Sequence, residues 1–389
     1  MRLLPAHLSQ LPAPAADAVA HSERLRHAIA GEISAGGGWL SFARYMDLAL
    51  HAPGLGYYSA GASKLGAAGD FVTAPELGGL FGRTLARQAA QILRAGVNDI
   101  VELGAGSGKL ARDLLTELAA LDCLPQRYLI LETSADLRRR QQTLLQHELP
   151  RLVRRVTWLD ELPLALNALV IGNEVLDAMP VHVITTGGAG IEECGVAVSG
   201  ASFEWRTRPA TGLLREMALA LGLPPGYTTE INLAARSFMR SLAAALERGV
   251  ILLIDYGFPA REYYHPQRSA GTLMCHYRHH AHADPLCLVG LQDITAHVDF
   301  CAIADAALES GLDLLGYANQ AQFLINCGIT DVLAATRAEN VAAYLPLSAQ
   351  AQKLTSPAEM GELFKAIAFG KNHRVPLTGF TRGDKQRLL

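Results

Sequence analysis

The sequence predicts an α/β protein built on a doubly wound, Rossmann-like sheet. Three observations predict it. Short β-branched runs alternate with helix-patterned segments in the middle of the chain, which is the texture of βαβ units and a parallel sheet. The first of those runs enters a turn with glycines at alternate positions, IVELGAGSGKL, and a helix pattern follows at once. The 389 residues are half hydrophobic, enough for one large core with insertions or for two domains.

The elements follow in order. Up to Leu50 the pattern is helical, broken at Gly36-Gly37-Gly38, and HAPGLGYYSAGASKLGAAGDF reads as a glycine-rich loop. Thr73-Ala74-Pro75-Glu76 reads as a capping box, with Thr at the N-cap, Pro in the first turn and Glu three residues on. It opens a helix to about Arg94, with Gly96 as its stop. DIVELG, RYLILET, RVTWLDEL and ALVIGNEV are four strands, with LARDLLTELAAL and QQTLLQHEL as helices among them. VHVITTGGAGIEECGVAVSGASFEWRT reads as antiparallel strands joined by glycine turns. Leu213 to Leu246 reads mainly as helix, and GVILLIDYG is a fifth buried strand. The tail from Cys301 is largely helical, with LDLLGY and LFKAIAFG as two edge strands. The expected organisation is a helical N-terminal cap and lid over 1–95 and a sheet domain over 96–389. An antiparallel and helical insertion interrupts the latter at about 181–246, and a helical C-terminal part begins at about 301.

Composition narrows the function. A net charge of −3 gives no support to a nucleic-acid partner, which usually demands a basic face. No apolar run approaches the roughly 20 residues that span a bilayer. The first residues, MRLLPAHLSQLPAPAADAV, lack a continuous apolar stretch, and Asp17 and Glu23 argue against a transit peptide. A cytoplasmic protein is expected, with the mitochondrial matrix in second place. The six cysteines form no C-x-x-C pair and read as reduced thiols. The run His276-Tyr277-Arg278-His279-His280-Ala281-His282 lacks the converging spacing of a zinc site; no metal is expected, and a polar, substrate-facing loop is preferred.

Spacing decides what the glycine turn holds. A P-loop fails twice, because Leu103 stands where its first glycine belongs and Leu110 where its hydroxyl belongs. A dinucleotide fingerprint is weakened, though not eliminated, because its third glycine would fall on Lys109. What remains is Glu102, Gly104, Gly106 and Gly108, a turn able to wrap a ligand that carries no pyrophosphate. Glu102 at the strand end suits an ammonium, and Glu132 after the second strand suits ribose hydroxyls. Trp158-Leu159-Asp160 after the third strand could supply a flat apolar face and a polar handle for an adenine. Ammonium, ribose and adenine together are the inventory of S-adenosylmethionine.

GDFVTAPELGGLFG, VELGAGSGKLARDLL, NEVLDAMPVH, LLIDYG and QDITAHVDF, in this order, resemble the MidA-like S-adenosylmethionine-dependent methyltransferases. The similarity runs from about Gly36 to Lys371; Ala105 is a small departure, where many relatives carry Pro. The resemblance implies a class I methyltransferase core. For the mitochondrial branch it implies symmetric dimethylation of a protein arginine in assembly of respiratory complex I. It also makes Gly69-Asp70-Phe71 and Thr73 to Glu76 a lid or wall over the cofactor, with Thr73 and Glu76 as cofactor contacts.

After the fourth strand, Asn173-Glu174-Val175-Leu176-Asp177 lies where the transferred methyl should emerge. Glu174 and Asp177 could grip a guanidinium, orient one nitrogen and draw charge away from it. His297 or Asp299 could accept the proton, with Asn173 and Asp299 as further acceptor-side contacts. Asn173 is followed by Glu, which removes the N-P-P-Y pattern expected of a base or amide acceptor. The alternatives are a small-molecule N- or O-methyltransferase and a non-catalytic assembly factor that keeps the fold to bind a partner chain.

Overall fold

The computed structural model describes residue 8 and residues 10–59, 73–188 and 190–389. Two compact units make up the chain. The first collects 1–71, 176–236 and 260–297; the second collects 72–175, 237–259 and 298–389. This differs from the expected division at 95. The helix before Gly96 packs with the sheet, and the first unit is gathered from three stretches, because tertiary contacts rather than chain order define a core.

The second unit holds the main sheet. Its strands are β1 (Asp99–Leu103), β2 (Tyr128–Leu131), β3 (Val156–Leu159), β4 (Leu166–Asn173), β5 (Leu246–Phe258), β6 (Asp313–Asn319) and β7 (Phe364–Lys371). Their order is β6-β7-β5-β4-β1-β2-β3. The strands from β3 to β5 run parallel, and β7 runs antiparallel to both β5 and β6. That arrangement is the class I methyltransferase sheet. Chain order reverses between β1 and β4, which opens a crevice at the carboxyl ends of those strands. All five residues of β1 are buried, as a strand covered on both faces requires. Helices α1 (Gly79–Arg94), α2 (Lys109–Ala120) and α3 (Ala135–Glu148) belong to this unit. Leu80, Leu85, Ala89 and Ile92 of α1 and Leu110, Leu114 and Leu118 of α2 join one core with Ile100, Leu169 and Leu252 from the strands.

Three expectations change. LFKAIAFG forms β7, but an interior strand: it inserts between β5 and β6, leaving only β6 at the edge, and its Ala366–Phe369 stretch is completely buried. The helix expected from Thr73 breaks at Gly78, whose φ of +144° stops a four-residue turn, Ala74–Leu77, before α1 begins. In the segment from Leu213 to Leu246, a strand, Thr228–Ile231, separates helices Gly212–Ala220 and Leu233–Ala245; the β-branched pair Thr228-Thr229 favours it.

In the first unit, Thr228–Ile231 lies beside His182–Gly187, which pairs with Gly190–Ser199. Gly190–Ser199 also takes Ser202–Pro209 and the short Leu40–Ser41, all antiparallel. Helices Ala16–Ala35 and Phe42–His51 pack Leu25, Ile29, Phe42 and Tyr45 against Val183 and Val196 of this sheet. A second sheet orders His280–His282, Met274–Tyr277 and Asp293–Thr295. Among the described residues no helix is long and apolar enough to cross a membrane.

Candidate functional site

The glycine turn leaves the end of β1 and opens α2. Gly104, Gly106 and Gly108 have φ of +57°, +53° and +85°. Each is left-handed backbone that costs an L residue about 1–2 kcal/mol, so three in five residues explains the alternating glycines. Gly104 N–H donates to Leu131 O at 2.9 Å, and Gly108 N–H to Ala105 O at 2.8 Å. A Cβ placed on Gly104 would meet only Val175 Cγ2, at an ordinary 3.7 Å. Room therefore lies beside the turn at Gly104, whereas a Cβ on Gly108 would press on Gln141 at 3.3 Å.

Glu102 stands two residues before this turn, 3% exposed. Tyr128 donates its hydroxyl to Glu102 Oε2 at 2.6 Å. Burial pushes the Glu102 carboxyl from its usual 4.5 up to about 7; the Tyr128 bond opposes that rise, and the charges of Glu132 and Asp113 add to it. Because the folded value is raised, the contribution of Glu102 to stability is whole below pH 4.5 and is lost as pH climbs through 7. The loss amounts to roughly 3 kcal/mol. Glu102→Gln is thus expected to raise Tm at pH 8 and leave it nearly unchanged at pH 4.5. A cation bound beside Glu102 favours the carboxylate, so affinity for S-adenosylhomocysteine should rise with pH through about 7 and flatten in the variant. Calorimetric titration at three pH values reads this; a parallel pH dependence in both proteins removes Glu102 from the ammonium role.

Glu132 follows β2 and is equally buried. Its Oε1 accepts Ser134 N–H at 2.8 Å and its Oε2 accepts the Gln141 amide at 3.1 Å. Burial raises its pKa, and these bonds with the Arg138 charge pull it back. Trp158 is the third residue of β3 and packs partly buried against the core of this unit. Its indole N–H donates to Gln141 Oε1 at 2.9 Å.

The capping box does not form. Thr73 makes no side-chain cap, since a four-residue turn offers too little helix to cap. Glu76 reaches the glycine turn, accepting Ser107 Oγ on one oxygen and Lys109 Nζ at 2.6 Å on the other. Glu76 therefore ties down the turn through Ser107 and Lys109. Gly69-Asp70-Phe71 lie outside the described residues.

At the end of β4, Glu174 has φ +52°, an uncommon conformation for a residue with a side chain. Its N–H donates to Ile254 O at 2.9 Å; its Oε1 accepts Asn173 Nδ2 at 3.0 Å and Ala74 N–H at 3.3 Å. Beside it, buried Asp255 near the end of β5 accepts Val175 N–H at 3.1 Å. Asp255 escaped the sequence reading, although it obeys the rule that singled out Glu102 and Glu132: an acid near the carboxyl end of a parallel strand. Gln141 escaped too; its signal is a polar residue four before buried Leu145 on the core face of α3. Asp299 also belongs to this unit. It caps helix Phe300–Glu309, accepting Cys301 N–H at 3.0 Å and Ala302 N–H at 3.2 Å.

In the first unit, Asp177 sits in a turn, and its carbonyl accepts Ala296 N–H at 3.0 Å. This bond ties NEVLDAMP to QDITAHVDF, two motifs far apart in sequence. Tyr58 donates to Asp293 Oδ1 at 2.8 Å and lies near enough to Asp177 to feel its charge. The His51 ring stacks on Tyr58 with centroids 5.5 Å apart. His297 donates its backbone N–H to Thr272 Oγ1 at 3.1 Å, and Thr272 donates to buried Glu230 at 2.8 Å. The histidine run is a hairpin whose turn, Arg278-His279, has φ of +47° and +64°. Among the described residues no three His, Cys, Asp or Glu side chains converge as a metal site.

Glu102, the glycine turn with room at Gly104, and Glu132 fit S-adenosylmethionine: an acid for the ammonium, a close-approach turn and an acid for the ribose. Known proteins agree. Residues 84–318 match the family model described as "Putative S-adenosyl-L-methionine-dependent methyltransferase". A Burkholderia thailandensis protein crystallised with S-adenosyl-homocysteine is 50% identical, with 98% of this chain and 100% of that one covered and a TM-score of 0.95. Protein arginine methyltransferase NDUFAF7, mitochondrial, of Danio rerio is 28% identical over 90% of each chain. The Homo sapiens protein of the same name is 26% identical, covering 90% of this chain and 84% of its own. These relatives are named mitochondrial, which overturns the cytoplasmic expectation; that expectation rested on the absence of a transit-peptide pattern, a weaker signal than likeness along most of the chain. The cofactor is S-adenosylmethionine, and the chain belongs to this family of S-adenosyl-L-methionine-dependent methyltransferases.

Proposed function

We propose that this chain methylates an arginine side chain of a protein acceptor. The observation that carries the proposal is the acidic end of β4 and β5: Glu174, held in left-handed backbone, next to buried Asp255. A strained, half-buried acid beside a fully buried one at the carboxyl edge of a sheet reads more simply as a binding group than as packing. The names of the relatives support the same acceptor.

S-adenosylmethionine supplies the methyl group as an electrophile on its sulfonium. The remaining work falls to the chain. Glu102 takes the ammonium, the turn from Gly104 to Gly108 the backbone of the ligand, and Glu132 the ribose; Glu76 and Trp158 act behind them. A guanidinium is a poor nucleophile because its charge is delocalised and its pKa lies above about 12. Carboxylates that grip two of its nitrogens localise the charge there and leave the third richer in electrons. Glu174 and Asp177 fill that role, Asn173 supports Glu174, and His297 is the group to take the proton.

The test is methyl transfer from radiolabelled S-adenosylmethionine into a lysate lacking this protein, followed by acid hydrolysis of the labelled bands. Label in dimethylarginine on one discrete band is expected, and a complex I subunit is the first acceptor to seek. Asp177→Ala should lose that label while binding S-adenosylhomocysteine within about threefold of wild type. Cofactor binding without protein label transfers the reading to a small-molecule N- or O-methyltransferase or a non-catalytic assembly factor.

A further inference from the structure

Gln141 lies midway along α3 with no exposed surface. Its side-chain amide makes three contacts to elements that sequence keeps apart. Nε2 donates to Gly106 O at 2.9 Å and to Glu132 Oε2 at 3.1 Å, and Oε1 accepts Trp158 Nε1–H at 2.9 Å. The amide orientation is forced: an indole N–H only donates, so it claims the oxygen and turns the NH2 group toward two acceptors. Gln141 also abuts the next glycine, since a Cβ on Gly108 would meet its Cα and Cγ at 3.3 Å.

We infer that Gln141 is a positioning residue for the cofactor, locking the glycine cradle after β1 to the carboxylate after β2. With Ser134 N–H on Oε1 and Gln141 on Oε2, the Glu132 carboxylate cannot rotate. Its remaining lone pairs therefore keep one direction, as bidentate recognition of a vicinal diol demands. The Gly106 carbonyl is drawn back into the protein by the same amide. Methionine at 141 keeps the volume and removes every one of these bonds. Glutamate keeps the acceptor for Trp158 but sets a carboxylate against Glu132 and Gly106 O, replacing two attractions with repulsions. The inference rests on Glu132 as the ribose carboxylate.

The experiment compares binding of S-adenosylhomocysteine and its 2′,3′-dideoxy analogue by calorimetry to wild type, Gln141→Met and Glu132→Ala. Gln141→Met is expected to weaken S-adenosylhomocysteine by about tenfold or more and the dideoxy analogue by about threefold or less. A residue with a purely structural role would weaken both ligands alike. Glu132→Ala should show the same selectivity, and adding Gln141→Met to it should cost little more on the diol ligand. Equal losses in Gln141→Met beside a selective Glu132→Ala overturn the role of Gln141 alone. A Glu132→Ala that does not distinguish the ligands overturns the ribose reading and the inference with it. Should the methionine variant fold poorly, near-isosteric Gln141→Glu carries the same comparison, with the same selective loss expected.

Discussion

Gly106→Val is expected to abolish S-adenosylmethionine binding. Gly106 has φ +53°, and a β-branched residue there meets the left-handed penalty of about 1–2 kcal/mol, increased by its branching. The turn can relieve that strain by flipping a peptide, but the flip withdraws Gly106 O from Gln141 and loosens Glu132 with it. A side chain also fills space into which a ligand must come, because close approach of backbone is what the turn provides. Affinity for S-adenosylhomocysteine should fall by about a hundredfold or more, with Gly106→Ala between the two. Calorimetric titration measures it, and circular dichroism checks that the fold survives. Affinity within about threefold of wild type would remove the turn from the cofactor site.

Glu174→Gln should do the opposite: preserve cofactor binding and remove turnover. Glutamine retains a carbonyl oxygen for Ala74 N–H, so the link between β4 and the Ala74–Leu77 turn survives. What disappears is the negative charge. If that charge orients and polarises a guanidinium, kcat should drop by about 100-fold or more while affinity for S-adenosylhomocysteine stays within about threefold. Single-turnover label transfer and calorimetry, made on the same preparation, separate the two quantities. A matching loss of both would assign Glu174 to the cofactor instead of the acceptor.

The groups proposed for the cofactor were more legible than those proposed for the acceptor. Glu102, Glu132 and the three glycines stand within a few residues of strand ends, where a periodicity of two and a turn signal place a side chain almost unaided. Glu76 was picked for the wrong local reason: its spacing from Thr73 satisfies a capping box, and only the folded chain brings Ser107 and Lys109 to it. Asp299 shows the reverse: a second, structural role that its spacing did not disclose. As an acid beside a histidine it reads as chemistry, yet it satisfies the first N–H groups of a helix.

The local alternation of strand and helix, the sites of the turns and the acids at strand ends are determined by the sequence itself, because each depends on neighbours within one helical turn or one strand. Tertiary structure alone decided that β7 runs antiparallel inside the sheet, since an apolar run reads alike at an edge or in the interior and in either direction. It alone gathered the first unit from three stretches and tied Asp177 to Ala296. It alone made Gln141 a junction, because an amide's partners on β1, β2 and β3 are set by how the helix packs, and no spacing along the chain records that.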